Sequence, residues 1–244
     1  MKVSILILTY NRLDIVKKYL PKIVQRNTEP DSEILIWDNG STDGTAEWVY
    51  NYALQHPPGK IIFTRGAENH GMEAINFLAQ MAKGEYVLKL DCDMHVPEGF
   101  VQDLIKAYEM VDDNLILFMG YDMSWLDENT FATRKGFTPF DPPNGRIEKV
   151  HDGVVLISHY PSKFMVNGAC RLSTRIDFLK HGMHPKGAKY GIDYTVNVQA
   201  EKAGFYVAFY NNKTPVIHCN EKDTTEYRAF KDAELEKYSG PKDV

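Results

Sequence analysis

The first 120 residues alternate between two hydrophobic rhythms. Residues 3–8 form an apolar run, the mark of a strand covered on both faces. Residues 13–25 switch to helical spacing, with Leu13, Val16, Leu20 and Ile23 on one side. The exchange recurs: the pattern predicts strands at 33–37, 60–64, 85–90 and 115–119, and helices at 45–54, 72–83 and 97–110. Ser41, Thr42 and Asp43 supply capping chemistry before the second helix, Gly84 closes the third, and Pro97 opens the fourth. This order predicts an α/β fold, a mostly parallel sheet with helices on both faces. Right-handed crossovers bring the strand C-termini to one edge, where a ligand crevice forms. Polar clusters fall at those ends: Thr9-Tyr10-Asn11-Arg12, Asp38-Asn39-Gly40-Ser41 and Asp91-Cys92-Asp93.

The rhythm breaks between about residues 121 and 150, where Gly136, Pro139, Pro142, Pro143 and Gly145 predict a loop or short hairpin. Strands are then predicted at 154–158, 164–166, 205–210 and 215–217, and helices at 174–180 and 194–202. The charged stretch from Glu221 reads as a loop and a terminal helix. No linker separates two independent folds.

Hydrophobic residues make up 43% of the 244 and charged residues 25%, which excludes a disordered chain and a disulfide scaffold. A net charge of −5 with no Lys/Arg block argues against nucleic acid as an electrostatic partner. Cys92, Cys170 and Cys219 are odd in number and far apart, which argues against a zinc site or disulfide framework. No run approaches the roughly 18 apolar residues that span a bilayer. The apolar start reaches Asn11-Arg12 too soon for a signal peptide, so a cytoplasmic protein is expected.

Asp91-Cys92-Asp93 carries the sharpest chemistry. In extended chain, side chains two apart share a side, and two carboxylates there repel unless a cation separates them. Hard oxygen ligands suit Mg²⁺ or Mn²⁺, and a diphosphate completes the shell. The plainer reading is a solvated turn, ion-paired through the flanking Lys89 and His95. Asp38 offers an acceptor for a base N–H or a ribose hydroxyl, while Asp43 reads as an N-cap. Gly71 permits a tight approach. Asn76, in mid-helix, reads alone as a surface polar residue.

Together these segments resemble the family 2 glycosyltransferases. Residues 4–12 look like the family's opening strand. Trp37-Asp38-Asn39-Gly40-Ser41-Thr42-Asp43 resembles its Asp-Asp-Gly-Ser-x-Asp motif, with Asn39 where a second Asp is common. Asn69-His70-Gly71 with Ala74 and Asn76 resembles the Asn-x-Gly…Ala-x-Asn segment, and residues 84–93 resemble the strand carrying the DxD. The likeness is strong over residues 1 to about 110 and weaker over 164–220; none is visible for 121–150 or the tail.

The resemblance implies the GT-A fold, a Rossmann-like, mostly parallel twisted sheet plus a small mixed sheet on the acceptor side. It implies one domain over 1–220, with a nucleotide-sugar half (1–115) and an acceptor and catalytic half (116–220), followed by a tail (221–244). The implied activity is metal-dependent, inverting transfer from a nucleoside-diphosphate sugar to an acceptor hydroxyl. A UDP-sugar is favoured, with GDP-mannose and dTDP-rhamnose open. Thr9, Tyr10, Asn11, Arg12, Asp38, Gly40, Asn69, Gly71, Asn76, Asp91 and Cys92 would line the donor site. Asp91, Asp93 and His218 would hold Mn²⁺ or Mg²⁺. Asp193 matches the second member of the family's Glu-Asp pair, Ile192 replacing the first, and would be the general base; a helix N-cap is its plainer role. Asn167-Gly168-Ala169-Cys170-Arg171 resembles the segment that brings a small residue near the sugar. The other histidines, His56, His70, His151, His159, His181 and His184, have no such context. Tyr121, Trp125, Phe131, Phe137 and Phe140 either stack on an acceptor sugar or fill a core. Two rival classes are a sugar nucleotidyltransferase, which would carry a Gly-rich loop after the first strand, and a non-catalytic nucleotide-sugar or glycan-binding module.

Overall fold

In the computed structural model, the residues described are 1–111, 115–121, 123–127, 132–135, 145–150, 153–158, 168–187, 193–212 and 216–219. The predicted alternation forms: β1 (Val3–Thr9), α1 (Leu13–Arg26), β2 (Ser32–Asp38), α2 (Thr45–Ala53), β3 (Ile61–Arg65), α3 (Ala74–Met81) and β4 (Tyr86–Leu90). A two-residue strand, β5 (Met94–His95), precedes α4 (Phe100–Met110) and β6 (Ile116–Tyr121). The break at 121–150 contains β7 (Met123–Asp127), β8 (Ala132–Lys135) and the start of a hairpin, β9 (Gly145–Val150) with β10 (Gly153–Ser158). Then come β11 (Cys170–Thr174), α5 (Arg175–Asp177), α6 (Asp193–Lys202), β12 (Tyr206–Asn212) and β13 (Val216–His218).

The main sheet runs β3-β2-β1-β4-β11-β6-β12-β10-β9. Its β3-β2-β1-β4 side is parallel, as the crossovers dictate. Past β4 the sheet becomes mixed: β11 enters antiparallel between β4 and β6, and β10 pairs antiparallel with both β9 and β12. The strand expected to continue the parallel run, β6, is therefore one place removed from β4. Leu6, Leu35 and Val87 face one buried layer and Ile5, Ile34 and Leu88 the other, so the sheet is covered on both faces.

Three expectations are corrected. The third helix begins as a 3₁₀ turn at Gly71–Glu73 and ends at Met81, the fourth starts at Phe100 rather than residue 97, and the short helix after β11 passes into a π-turn over Phe178–Gly182. Local propensity is weakest at element ends, and these are end effects. The break at 121–150, expected from its Pro and Gly content as a loop or short hairpin, carries the antiparallel pair β7–β8 and the strand β9. The small sheet, β5-β13-β7-β8, was expected in kind, but β5 was not. The strand expected at 164–166, the tail, Asn167 and the side chains of Trp125, Phe131, Phe137 and Phe140 lie outside the described residues.

Candidate active site

Parallel pairing sets Thr9 directly beside Asp38 at the strand ends. Asp38 is fully buried. Its Oδ2 accepts from Thr9 Oγ1 at 2.9 Å and Ser41 Oγ at 2.5 Å, and its Oδ1 from the amides of Gly40 at 3.1 Å and Ser41 at 2.8 Å. Four donors around one charge make a rigid turn, and Gly40 takes φ +80 to complete it. Asn39 explains its own departure from the family motif. Its amide donates to Gly71 O at 3.1 Å and accepts from His70 N at 3.3 Å. A carboxylate cannot donate, so only an amide ties this turn to the Asn69–Gly71 loop from both sides. Asn69 Oδ1 in turn accepts from Gly71 N at 2.7 Å.

Asp43 does not cap α2, whose N-cap is Gly44 without a side-chain bond; it ties the start of α1 to the turn before α2. Oδ2 accepts from the amides of Arg12 and Leu13 at 2.7 and 3.0 Å, and Oδ1 from Thr45 N and Oγ1 at 3.0 and 2.6 Å. Burial raises its carboxyl pKa, but these bonds outweigh that and hold it below the usual range. Asn11, at φ +40, accepts from Thr42 N at 2.8 Å while its own amide donates to Ser41 Oγ at 2.9 Å. The β1 and β2 loops thus lock together, with Tyr10 half-buried beside them.

Asp91 and Asp93 meet by a different route from the one expected. They sit in a turn rather than extended chain. The sheet edge supplies the third group: β13 pairs with β5, placing His218 opposite Met94, and Cys219 N donates to Asp93 O at 3.0 Å. Ligand atoms of Asp91, Asp93 and His218 all lie within 4.8 Å of one another. His218 Nε2 is 3.2 Å from Asp93 Oδ1 and 3.8 Å from Asp91 Oδ2. Arg12 Nη2 lies 3.0 Å from Asp93 Oδ2, so this side chain reaches the acidic cluster. Lys89, buried rather than surface-exposed, ion-pairs with Asp91 Oδ1. Burial opposes charge on Asp93, yet His218 and Arg12 hold it well below the carboxylate range. Burial lowers the His218 pKa, and Asp93 and Asp91 more than reverse this. Two carboxylates beside an imidazole are a donor set that fits a divalent cation. Cys92 turns into the core and its thiol is pushed up to about 12 by burial, so its side chain brings no thiolate to this group.

Asp193 opens α6. A Cβ at position 168 would run into Asp193 Oδ1, so a larger residue there would force that carboxylate to turn away. The small residue thus meets the expected base. Asn76 is buried, not a surface residue. Its side chain donates to His184 O and accepts from His184 N, both at 2.8 Å, so its amide faces a neighbouring loop.

Sequence reasoning gave no role to Arg171 or His184 and read Lys89 as a surface ion-pair partner, yet all three are buried. A signal existed for two of them: Lys89 interrupts an apolar strand, and Arg171 stands between Cys170 and Leu172. A cation inside a strand covered on both faces needs a partner. His184 carried no local signal, because its neighbours come from far along the chain.

The "Glycosyl transferase family 2" family model matches residues 4–151, more than half of the chain. An uncharacterized glycosyltransferase, YfnE of Bacillus subtilis (strain 168), is 31% identical over 118 residues, covering 48% of this chain and 29% of its own length. Among solved structures, S. aureus TarS 1-349 in complex with UDP-GlcNAc superposes with a TM-score of 0.68 at 16% identity, covering 91% of this chain and 60% of TarS. The mannosyltransferase PcManGT from Pyrobaculum calidifontis, in complex with GDP-Man and Mn²⁺, gives 0.63 at 17% identity, covering 100% and 66%. These likenesses show the GT-A fold. The chain covers less than two thirds of each of these relatives' own length. Among the described residues, no helix is long and apolar enough to cross a membrane.

Proposed function

Since the chain belongs to glycosyl transferase family 2, we propose that it moves a sugar from a nucleoside diphosphate to an acceptor hydroxyl with inversion. The observation that carries this reading is the convergence of Asp91, Asp93 and His218 within 4.8 Å at the C-terminal edge of the parallel strands. The TarS complex with UDP-GlcNAc and the PcManGT complex with GDP-Man and Mn²⁺ support a nucleotide-sugar donor, with a UDP-sugar first.

The locked loops of β1 and β2 form the nucleoside side of the site, with Thr9, Tyr10, Asn11, Arg12, Asp38, Gly40, Asn69 and Gly71 at or behind its wall. Asp38 acts there by holding the turn, since all its hydrogen bonds are internal in this structure. Asn76 likewise acts behind the wall through His184. Cys92 contributes backbone rather than thiol. Asp91, Asp93 and His218 would hold Mn²⁺ or Mg²⁺, which when bound supplies positive charge to the diphosphate leaving group. Arg12, paired with Asp93, adds a fixed cation to the same edge. Asp193, its side chain 36% exposed, would accept the acceptor hydroxyl's proton as that oxygen attacks the anomeric carbon. One base and one displacement give inversion.

The test is nucleoside diphosphate release across UDP-, GDP- and dTDP-sugars with Mn²⁺, Mg²⁺ or EDTA. Release from one donor, abolished by EDTA, is expected. Tight donor binding without release under any condition would favour a binding module instead.

A further inference from the structure

Arg171 has 1% of its side chain exposed, and full burial of a guanidinium is costly unless a counter-charge faces it. Its Nη1 lies 3.8 Å from Asp193 Oδ1. Its Nη2 meets His184 Nε2 at 2.7 Å, and its plane lies over Phe118 at 4.8 Å. Neither Nε nor Nη1 makes a hydrogen bond among the described residues, so Nη1 meets Asp193 as an ion pair alone. Among the described residues, the anions that oppose its burial are Asp193 and then Asp91.

The support beneath Arg171 is also fixed. Burial, reinforced by Arg171 and Lys89, holds His184 well below the usual histidine range. The imidazole is therefore neutral, and its Nε2 serves as the acceptor that Arg171 needs. The His184 backbone is gripped at both N and O by Asn76 from α3. A rigid chain of contacts thus runs from α3 through a loop to β11 and ends at the first residue of α6.

We propose that Arg171 is a positioning residue for Asp193, held in place by His184 and Asn76. This rests on Asp193 being the general base. The guanidinium fixes one carboxylate oxygen beside Gly168, leaving the other for the acceptor hydroxyl. Such a role places the effect in turnover and not in nucleotide binding, because Arg171 touches neither the β1 nor the β2 loop in the described contacts.

The probe is UDP-GlcNAc with Mn²⁺, read as UDP released, beside UDP affinity and thermal melting. Arg171→Met is expected to lower kcat about 100-fold while UDP affinity stays within about threefold. Arg171→Lys, which keeps the charge but loses the fork, recovers at least tenfold of that loss. His184→Leu removes the acceptor and lowers kcat about tenfold, and His184→Gln recovers most of it. If Arg171→Met fails to fold, the Lys variant and the His184 pair carry the same comparison. Crystals of these variants give a readout that needs no turnover: the Asp193 carboxylate leaves its place against Gly168 in Arg171→Met, or in His184→Leu if the former does not fold. A folded Arg171→Met with wild-type kcat, equal losses in kcat and UDP affinity, or an unmoved Asp193 would overturn the proposal. Asp193→Asn measured beside them separates the two ideas. Wild-type turnover in that variant removes the base itself, whereas an inactive Asp193→Asn with an active Arg171→Met removes only the positioning role.

Discussion

The two sides of the site are built on opposite plans. On the nucleoside side, the polar residues of the β1 and β2 loops satisfy one another: Asp38, Asn39, Asp43 and Asn11 all spend their side chains on nearby backbone or hydroxyls. On the proposed catalytic side, Asp91, Asp93 and Asp193 are carboxylates facing cations: Lys89 two residues before Asp91, and Arg12 and Arg171 from other elements. The first side is a rigid wall made by hydrogen bonds. The second is a cluster of opposite charges held by ion pairs. A hydrogen-bonded wall gives shape, and a charge cluster gives chemistry.

Substitutions should therefore divide by side. The largest effect belongs to Asp193→Asn, expected to cut turnover about 10³-fold with UDP affinity nearly unchanged, as kinetics with calorimetry would show. On the wall, Asp38→Ala removes an acceptor from four buried donors. A loss of about 3 kcal/mol is expected in denaturant unfolding. Asn39→Asp is subtler. It leaves Gly71 O without its donor and should cost about 1 kcal/mol, read as a small drop in melting temperature with kcat little changed. A large kcat loss in Asn39→Asp without loss of stability would break the division between wall and chemistry.

The same division decides what the sequence disclosed. The wall was legible because its partners are motif neighbours: Asp43 two residues from Thr45, Asp38 three from Ser41. The parallel strands were legible because each is a buried apolar run. The Asp91–Asp93 pair was visible, and a turn was its plainer reading, but β5, two residues long, was not. Resemblance, not spacing, pointed to His218 and Asp193. Arg171, His184 and the true role of Asn76 were hidden, since Asn76 and His184 are 108 residues apart and meet only after the sheet has formed. Lys89 and Arg171 show what a closer look at polar interruptions in buried strands yields: each marks an acidic partner, Asp91 two residues on and Asp193 on α6.

The central claim is that Asp91, Asp93 and His218 form a metal-dependent site for the diphosphate. Calorimetric titration of UDP with Mn²⁺ and with EDTA, in the wild type and in Asp93→Ala, tests it most directly. The account predicts at least tenfold tighter UDP binding with Mn²⁺ in the wild type and no Mn²⁺ effect in the variant. Equal wild-type affinity with Mn²⁺ and with EDTA, or a full Mn²⁺ effect in Asp93→Ala, would contradict it.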